Sequence, residues 1–310
     1  MIRIFDYSID SAYENRTILD FLKAQGYSHA ILVHLKKTKN SILLNGIWEY
    51  VTTRLHAKDH LRIRLEEMDG SSGITPTAVP LTICYEDEDI LVVNKPAGMP
   101  VHPSQGHYEN TLANAVCGYY AKQGIPYTFR CVNRIDRDTT GLVILAKHML
   151  SSAILNQAVA QRKIHREYLA IAEGTVPESG TINAPIARKN DSTIERQVDF
   201  KQGETAITHY QRIALRNDLS LVSLHLETGR THQIRVHMKY LGHPLIGDFL
   251  YNPEDTKIKR QALHSHRLQF NHPITGLPMD FSAPLPSDMA ALFPQVSLYH
   301  KESYPLTIPS

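Results

Sequence analysis

Cysteine is scarce. The 310 residues hold three, Cys84, Cys117 and Cys131, with no paired spacing. That argues against a disulfide framework and for a reducing compartment. Long hydrophobic runs are missing as well: nothing approaches the ~20 apolar residues of a membrane span, so no membrane partner is expected. The opening Met1-Ile2-Arg3-Ile4-Phe5-Asp6 lacks the charged-then-apolar layout of a signal peptide. The cytoplasm is the expected location. Charge of one sign is not in excess either. A net charge of +2 neither demands nor excludes nucleic acid, since local clustering decides that. Tryptophan occurs once, at Trp48. What is plentiful is histidine, 17 in all, which would add positive charge at mildly acid pH. Apolar content of 42% and charged content of 21% are ordinary for a globular protein. The length suits one large domain plus a smaller one.

The chain is organised around residues 130–146. Leu142 to Ala146 is a continuous apolar run after Gly141, which reads as a strand buried on both faces. Arg134 to Thr140 packs charged and hydroxyl residues into one turn before it. Asp136 lies between Arg134 and Arg137, and flanking cations favour an ionised carboxylate. Such a group can be a nucleophile, a general base or a metal ligand. On spacing alone, a solvated salt-bridge cluster is the better account of the turn.

Asn133-Arg134-Ile135-Asp136-Arg137-Asp138-Thr139-Thr140-Gly141 resembles the signature of the RluA-type RNA pseudouridine synthases: His-Arg-Leu-Asp, two variable residues, Thr-Ser-Gly. Asn133, Ile135 and Thr140 depart mildly from it. Other stretches resemble the same family in order. Asn94-Lys95-Pro96-Ala97-Gly98 is similar to its opening motif. Arg166-Glu167-Tyr168 falls on its Lys-x-Tyr motif. Thr228-Gly229-Arg230-Thr231-His232-Gln233-Ile234-Arg235 nearly repeats its third motif, and 263–286 is similar to its end. The resemblance implies that Asp136 is the catalytic residue, that Tyr168 packs its ring on the target uracil, and that Arg235 pairs with Asp136. It implies an α+β fold, a mixed, mostly antiparallel sheet with flanking helices. It implies conversion of uridine to pseudouridine in RNA, without a cofactor. Arg134 would fill the space left by a flipped base or grip phosphates, and Arg230 would also meet RNA. Lys95 is expected to support structure or the RNA backbone, not chemistry. Family members modify ribosomal or transfer RNA, and the N-terminal module tips the expectation toward rRNA. A monomer is expected.

Residues 1–75 read as a separate small unit. Thr17 and Asp20 form a capping box, Ile18, Phe21 and Leu22 make a stripe, and Gly26 stops the helix. A second short helix carries Lys36, Lys37 and Lys39 on its exposed side and just beyond. Ser41 to Gly46 reads as a strand entering a turn, and Leu61 to Leu65 as a strand with its arginines outward. Two helices, a basic patch and a hairpin resemble the α/β RNA-binding module named after small-subunit ribosomal protein S-four. A solvated helix face is the commoner account of such a charge run, but the place of this unit ahead of the family motifs favours RNA binding.

Gly70, Ser71, Ser72, Gly73, Pro76 and Pro80 mark a linker, so a catalytic domain is expected over 76–295 and a tail over 296–310, with the chain past Met289 already loosening. Periodicity predicts a helix over 111–123, with Leu112, Ala115, Val116 and Tyr119 inward, and another over 149–162. Thr231 is the expected N-cap of a third, in which Arg235 would ordinarily snorkel to solvent. Glu204 stands where the family has a lysine, and its segment is assigned no chemistry. His264 and His266 share a strand face without a zinc-site spacing, so no metal is expected. Two rivals remain: a glycoside hydrolase using Asp136 and Asp138, and a non-catalytic RNA-binding protein.

Overall fold

Apolar runs without alternation need cover on both faces. Leu142 and Ile144 bury into one cluster with Ile90, Val92 and Phe281, while Val143 and Leu145 bury into another with Leu112, Val116 and Tyr120. The strand they form, β7 (Thr140–Ala146), is thus covered on both sides, as its composition predicts. Burying each such side chain contributes about 1.5–3 kcal/mol.

The computed structural model describes residues 1–296 other than 105, 107 and 191, so the expected tail lies almost wholly outside the described residues. Along the chain the strands are β1 (Ile2–Ser8), β2 (Ile42–Leu44), β3 (Ile47–Trp48), β4 (His60–Glu66), β5 (Ile83–Glu86), β6 (Ile90–Lys95), β7, β8 (His165–Glu173), β9 (Ser179–Asn183), β10 (Ile186–Arg188), β11 (Arg196–Val198), β12 (Ile207–Arg216), β13 (Leu219–Leu226), β14 (Leu263–Asn271) and β15 (Pro278–Ser282). The helices are α1 (Ile18–Ala24), α2 (His29–Lys37), α3 (Leu112–Ala121), α4 (Met149–Ala160), α5 (Gln233–Tyr240) and α6 (Ser287–Ala290).

The large sheet runs β5-β6-β7-β14-β8-β13-β12-β9, with β15 on β14. Its pairings are antiparallel except β7 with β14. This is the expected α+β, mostly antiparallel arrangement. At the parallel junction Gly141 sits at φ +113°, and a Cβ there would stand 2.2 Å from the Ser265 carbonyl oxygen. Only glycine lets the strands meet this closely.

The N-terminal residues form a four-stranded sheet, β1-β4-β2-β3, under α1 and α2. The capping box at Thr17 forms: its hydroxyl accepts from the Asp20 N–H at 3.1 Å and Asp20 accepts from the Thr17 N–H at 3.3 Å. The sequence reading has no counterpart for β1. Its period points the wrong way, because Ile2 and Ile4 are exposed while Phe5 is buried against the helices. This sheet's apolar cluster is completed by Leu150 of α4, and Arg3 bonds Asp89 at 2.8 Å.

Two local expectations shift. In α3 the fully buried aromatic is Tyr120, not Tyr119, which bonds Glu86 at the surface. Past Met289 the chain does not loosen at once: Phe293 is buried and Val296 packs on the same cluster. His264 and His266 do share a face, and both bond the Ala283 carbonyl, at 3.2 and 2.7 Å.

Candidate active site

A turn rich in polar groups can hold a reactive side chain only if its backbone is tied down. Asn133, standing where the family has His, does this at one end. It donates to the Leu142 carbonyl at 3.1 Å and accepts from the Ile144 N–H at 2.7 Å. Lys95 does it at the other. Its ammonium donates 2.8 Å bonds to the carbonyls of Pro96, Met99 and Arg137, clamping the loop after β6 to the Asp136 turn. Lys95 is 1% exposed, which removes it from any RNA backbone contact and leaves the structural role. Burial pushes its pKa down to about 7. The three carbonyls oppose this, because a neutral amine has only two N–H bonds to give.

The Asp136 carboxylate emerges half-buried into a cleft of about 420 Å³. Arg134 and Arg137 flank it in sequence, yet neither pairs with it among the described residues. Arg137 closes on Asp138 at 2.8 Å instead, and Arg134 lies exposed along the cleft. The cation that reaches Asp136 comes from α5. Arg235 Nη1 donates to Asp136 Oδ2 at 3.0 Å. The side chain does not snorkel: it is 2% exposed. Its forked bidentate contact goes to Asp248, with Nε to Oδ2 at 2.7 Å and Nη2 to Oδ1 at 2.8 Å. Asp248 Oδ1 also accepts from the Leu250 and Tyr251 N–H groups. The guanidinium lies over the rings of Tyr251 and Phe249, at 5.0 and 5.7 Å. The two carboxylates hold it charged, with its pKa raised.

Asp248 had no signal in the sequence beyond a lone Gly-Asp pair, and only the fold brings it under α5. His232 was missed as well. It, not Thr231, is the N-cap of α5, at a left-handed φ of 57° and with no side-chain cap bond. Its Nδ1 pairs with the Tyr251 hydroxyl at 2.9 Å, and its Nε2 stands 3.9 Å from Asp136. Burial lowers its pKa, so it is neutral near pH 7. Gln233 secures the loop before α5, accepting from Thr228 Oγ1 and the Arg230 N–H.

Tyr168 lines the same cleft from β8 and is 4% exposed. Burial pushes its phenol up, so the ring is a neutral wall. Two residues earlier, Arg166 also lines the cleft, and its Nε is buried with no hydrogen-bond partner among the described residues. Arg230 borders the cleft but pairs with Glu204 and donates to the Thr205 carbonyl. Asp138 does not line the cleft, which removes the glycosidase pair. Lys36, Lys37 and Lys39 are exposed on the N-terminal unit and none lines the cleft.

A carboxylate held by a buried arginine, facing an aromatic wall, is what the sequence motifs anticipated. Relatives decide the family. A Bacillus subtilis protein named uncharacterized RNA pseudouridine synthase YjbO is 41% identical over 279 residues, covering 89% of this chain and 98% of its own. The chain belongs to the RNA pseudouridine synthases. The family profile described as RNA pseudouridylate synthase matches residues 89–240 of this synthase. The ribosomal large subunit pseudouridine synthase D of Zymomonas mobilis is 42% identical over 243 residues, covering 73% of this chain and 76% of that one. The solved structure of human RNA pseudouridylate synthase domain containing 1 shares the fold: TM-score 0.57, 23% identity, 78% of this chain and 94% of that one. The enzyme is an isomerase.

A metal fits poorly. Among the described residues one set, Asp87, Asp89 and His272, brings its ligand atoms within 4.8 Å of one another. Each is already engaged: Asp87 by Tyr85 and His272, Asp89 by Arg3 and His148.

Proposed function

We propose that this synthase isomerises specific uridines of ribosomal RNA, with Asp136 as the catalytic nucleophile. The observation that carries the reading is the shared cleft. It sets the Asp136 carboxylate, on one Arg235 N–H at 3.0 Å, together with the buried ring of Tyr168. The net reaction breaks the bond from C1′ to N1, turns the uracil, and joins C5 to C1′. The proton lost from C5 is matched by the one N1 gains. The base must leave its stack to enter the cleft, at a cost of a few kcal/mol. Tyr168 receives it on its ring face. Arg235 is a positioning residue that orients Asp136. Arg134 takes the vacated space or a phosphate, Arg230 lies at the rim, and Arg166, with its unpartnered Nε, is poised to donate to the substrate. The names of the large-subunit relatives support rRNA over tRNA. Lys36, Lys37 and Lys39 give the N-terminal unit a cationic edge for RNA. We place the enzyme in the cytoplasm, a reading its three free cysteines support, and take it to act as a monomer.

The test is a pseudouridine map by chemical labelling of unmodified rRNA and tRNA, after treatment with wild type or Asp136→Ala. Discrete new sites in large-subunit rRNA with wild type alone are expected. Identical maps on both RNAs would overturn the assignment.

A further inference from the structure

A second concavity, of about 1,070 Å³, adjoins the catalytic cleft. The last turn of α4 is the wall between them. Val159 and Ala160 line the cleft, Ala158 and Gln161 line the groove, and Arg162 lines both. Arg162 has left the helix, at φ 58°, and bonds Glu227 on the cleft side at 2.7 Å. The far end of the groove meets the N-terminal unit. Ile154 lines it there and packs so tightly on Gly26 that a Cβ on that glycine would stand 2.7 Å away. The groove therefore leads from the unit that carries Lys36, Lys37 and Lys39 to the mouth of the Asp136 cleft.

Its lining suits a polyanion. Lys163 contributes a cation, Arg162 one that is shared with Glu227, His165 imidazole nitrogens, and Gln157 and Gln161 amide donors. Among the described residues of the lining Asp280 is the only carboxylate, and it is already taken, accepting from Arg267 Nε at 2.8 Å and Gln269 Nε2 at 3.0 Å. Lys163 is exposed and has no ion pair among the described residues. The helix dipole explains a cation at the end of α4. It does not explain His165 on the following strand, nor the amides.

We propose that this groove is the track for the RNA that flanks the target uridine, holding backbone phosphates between the N-terminal unit and the cleft. The proposal rests on the RNA reading above and adds where the flanking strand runs. Phosphate contacts of this kind set register and affinity but carry no sequence information.

The probes are fluorescein-labelled oligouridylates of four and twelve nucleotides, titrated with the full chain by anisotropy between 50 and 200 mM KCl. Wild type is compared with Gln157→Glu/Lys163→Glu and with Lys122→Glu/Gln123→Glu. The second pair makes the same charge change at the exposed end of α3. Melting curves confirm that each variant folds. The groove variant is expected to bind the twelve-mer at least tenfold more weakly, with less than a threefold change on the four-mer. Its log–log salt slope should fall by about 0.7–1.4, one or two phosphates' worth for a single strand. The α3 pair should track wild type. Equal losses in the two variants, or an unchanged twelve-mer affinity, would overturn the track. Binding is read without turnover, so unchanged pseudouridine maps would sink the isomerase assignment separately from this result.

Discussion

Asp248 and Asp136 both hold Arg235, and replacing each by Asn separates architecture from chemistry. Asp248 is 0% exposed and accepts two guanidinium N–H bonds and two backbone N–H bonds. In Asp248→Asn the amide keeps one oxygen but turns an N–H toward Arg235 Nε, leaving two donors face to face. Removing one partner of a buried ion pair costs about 3–5 kcal/mol. Asp136 still neutralises Arg235, so the lower end, about 3 kcal/mol, applies. At roughly 2–4 °C per kcal/mol for a body this size, Tm should fall by about 6–12 °C. The guanidinium is then free to swing away from Asp136, so kcat should fall about 10- to 100-fold, equivalent to about 1.4–2.8 kcal/mol of barrier, with KM little changed. Asp136→Asn is the counterpart. That carboxylate is half-buried and takes one bond from Arg235, so its loss should move stability by no more than about 1 kcal/mol while abolishing turnover. Release of tritium from RNA carrying 5-tritiated uridine reads turnover directly, since C5 loses its hydrogen when it joins the sugar. Calorimetry reads Tm. A wild-type Tm and kcat in Asp248→Asn would refute the reasoning, as would an Asp136→Asn protein that melts as early as Asp248→Asn.

Lys95→Met should lower stability by about 3 kcal/mol or more, since three carbonyls lose a charged donor at about 1–3 kcal/mol each; a urea midpoint that does not move would contradict the clamp. Tyr168→Phe keeps the ring and should stay within about threefold of wild-type kcat, whereas Tyr168→Ala should lose up to about 100-fold, the upper part of the 1–3 kcal/mol of a base–aromatic stack; equal activities in tritium release would remove the stacking role. Burial lowers the pKa of His232, His237, His264 and His266, with His264 at about 3. The unfolded chain then takes up protons before the native one does as pH falls below about 6.5. Tm should therefore drop between pH 7 and pH 5.5, and a flat profile would show that these imidazoles charge freely in the fold.

How much was legible depends on the range of the interaction. The Asp136 turn, the twice-covered β7, the Thr17 capping box and the α4 span follow from neighbours a few residues apart, so composition and spacing carry them. β1 was invisible because its outward Ile2 and Ile4 mimic the inward positions of a half-buried strand. The cap of α5 was misplaced because Gln233 folds back to satisfy the loop, and His232 turns to Tyr251 instead.

The sequence by itself determined the family, the Asp136 turn and the residue types that meet in the cleft. Local patterning and motif order encode these directly. Only the tertiary structure decided that Lys95 is a clamp, that Arg235 forks onto Asp248, and that a groove joins the N-terminal unit to the cleft. Each of these is a contact between groups 13 to 42 residues apart, or a surface shared by separate elements. Their partners are chosen by which strands pair and which helix packs where, and no local pattern records that choice.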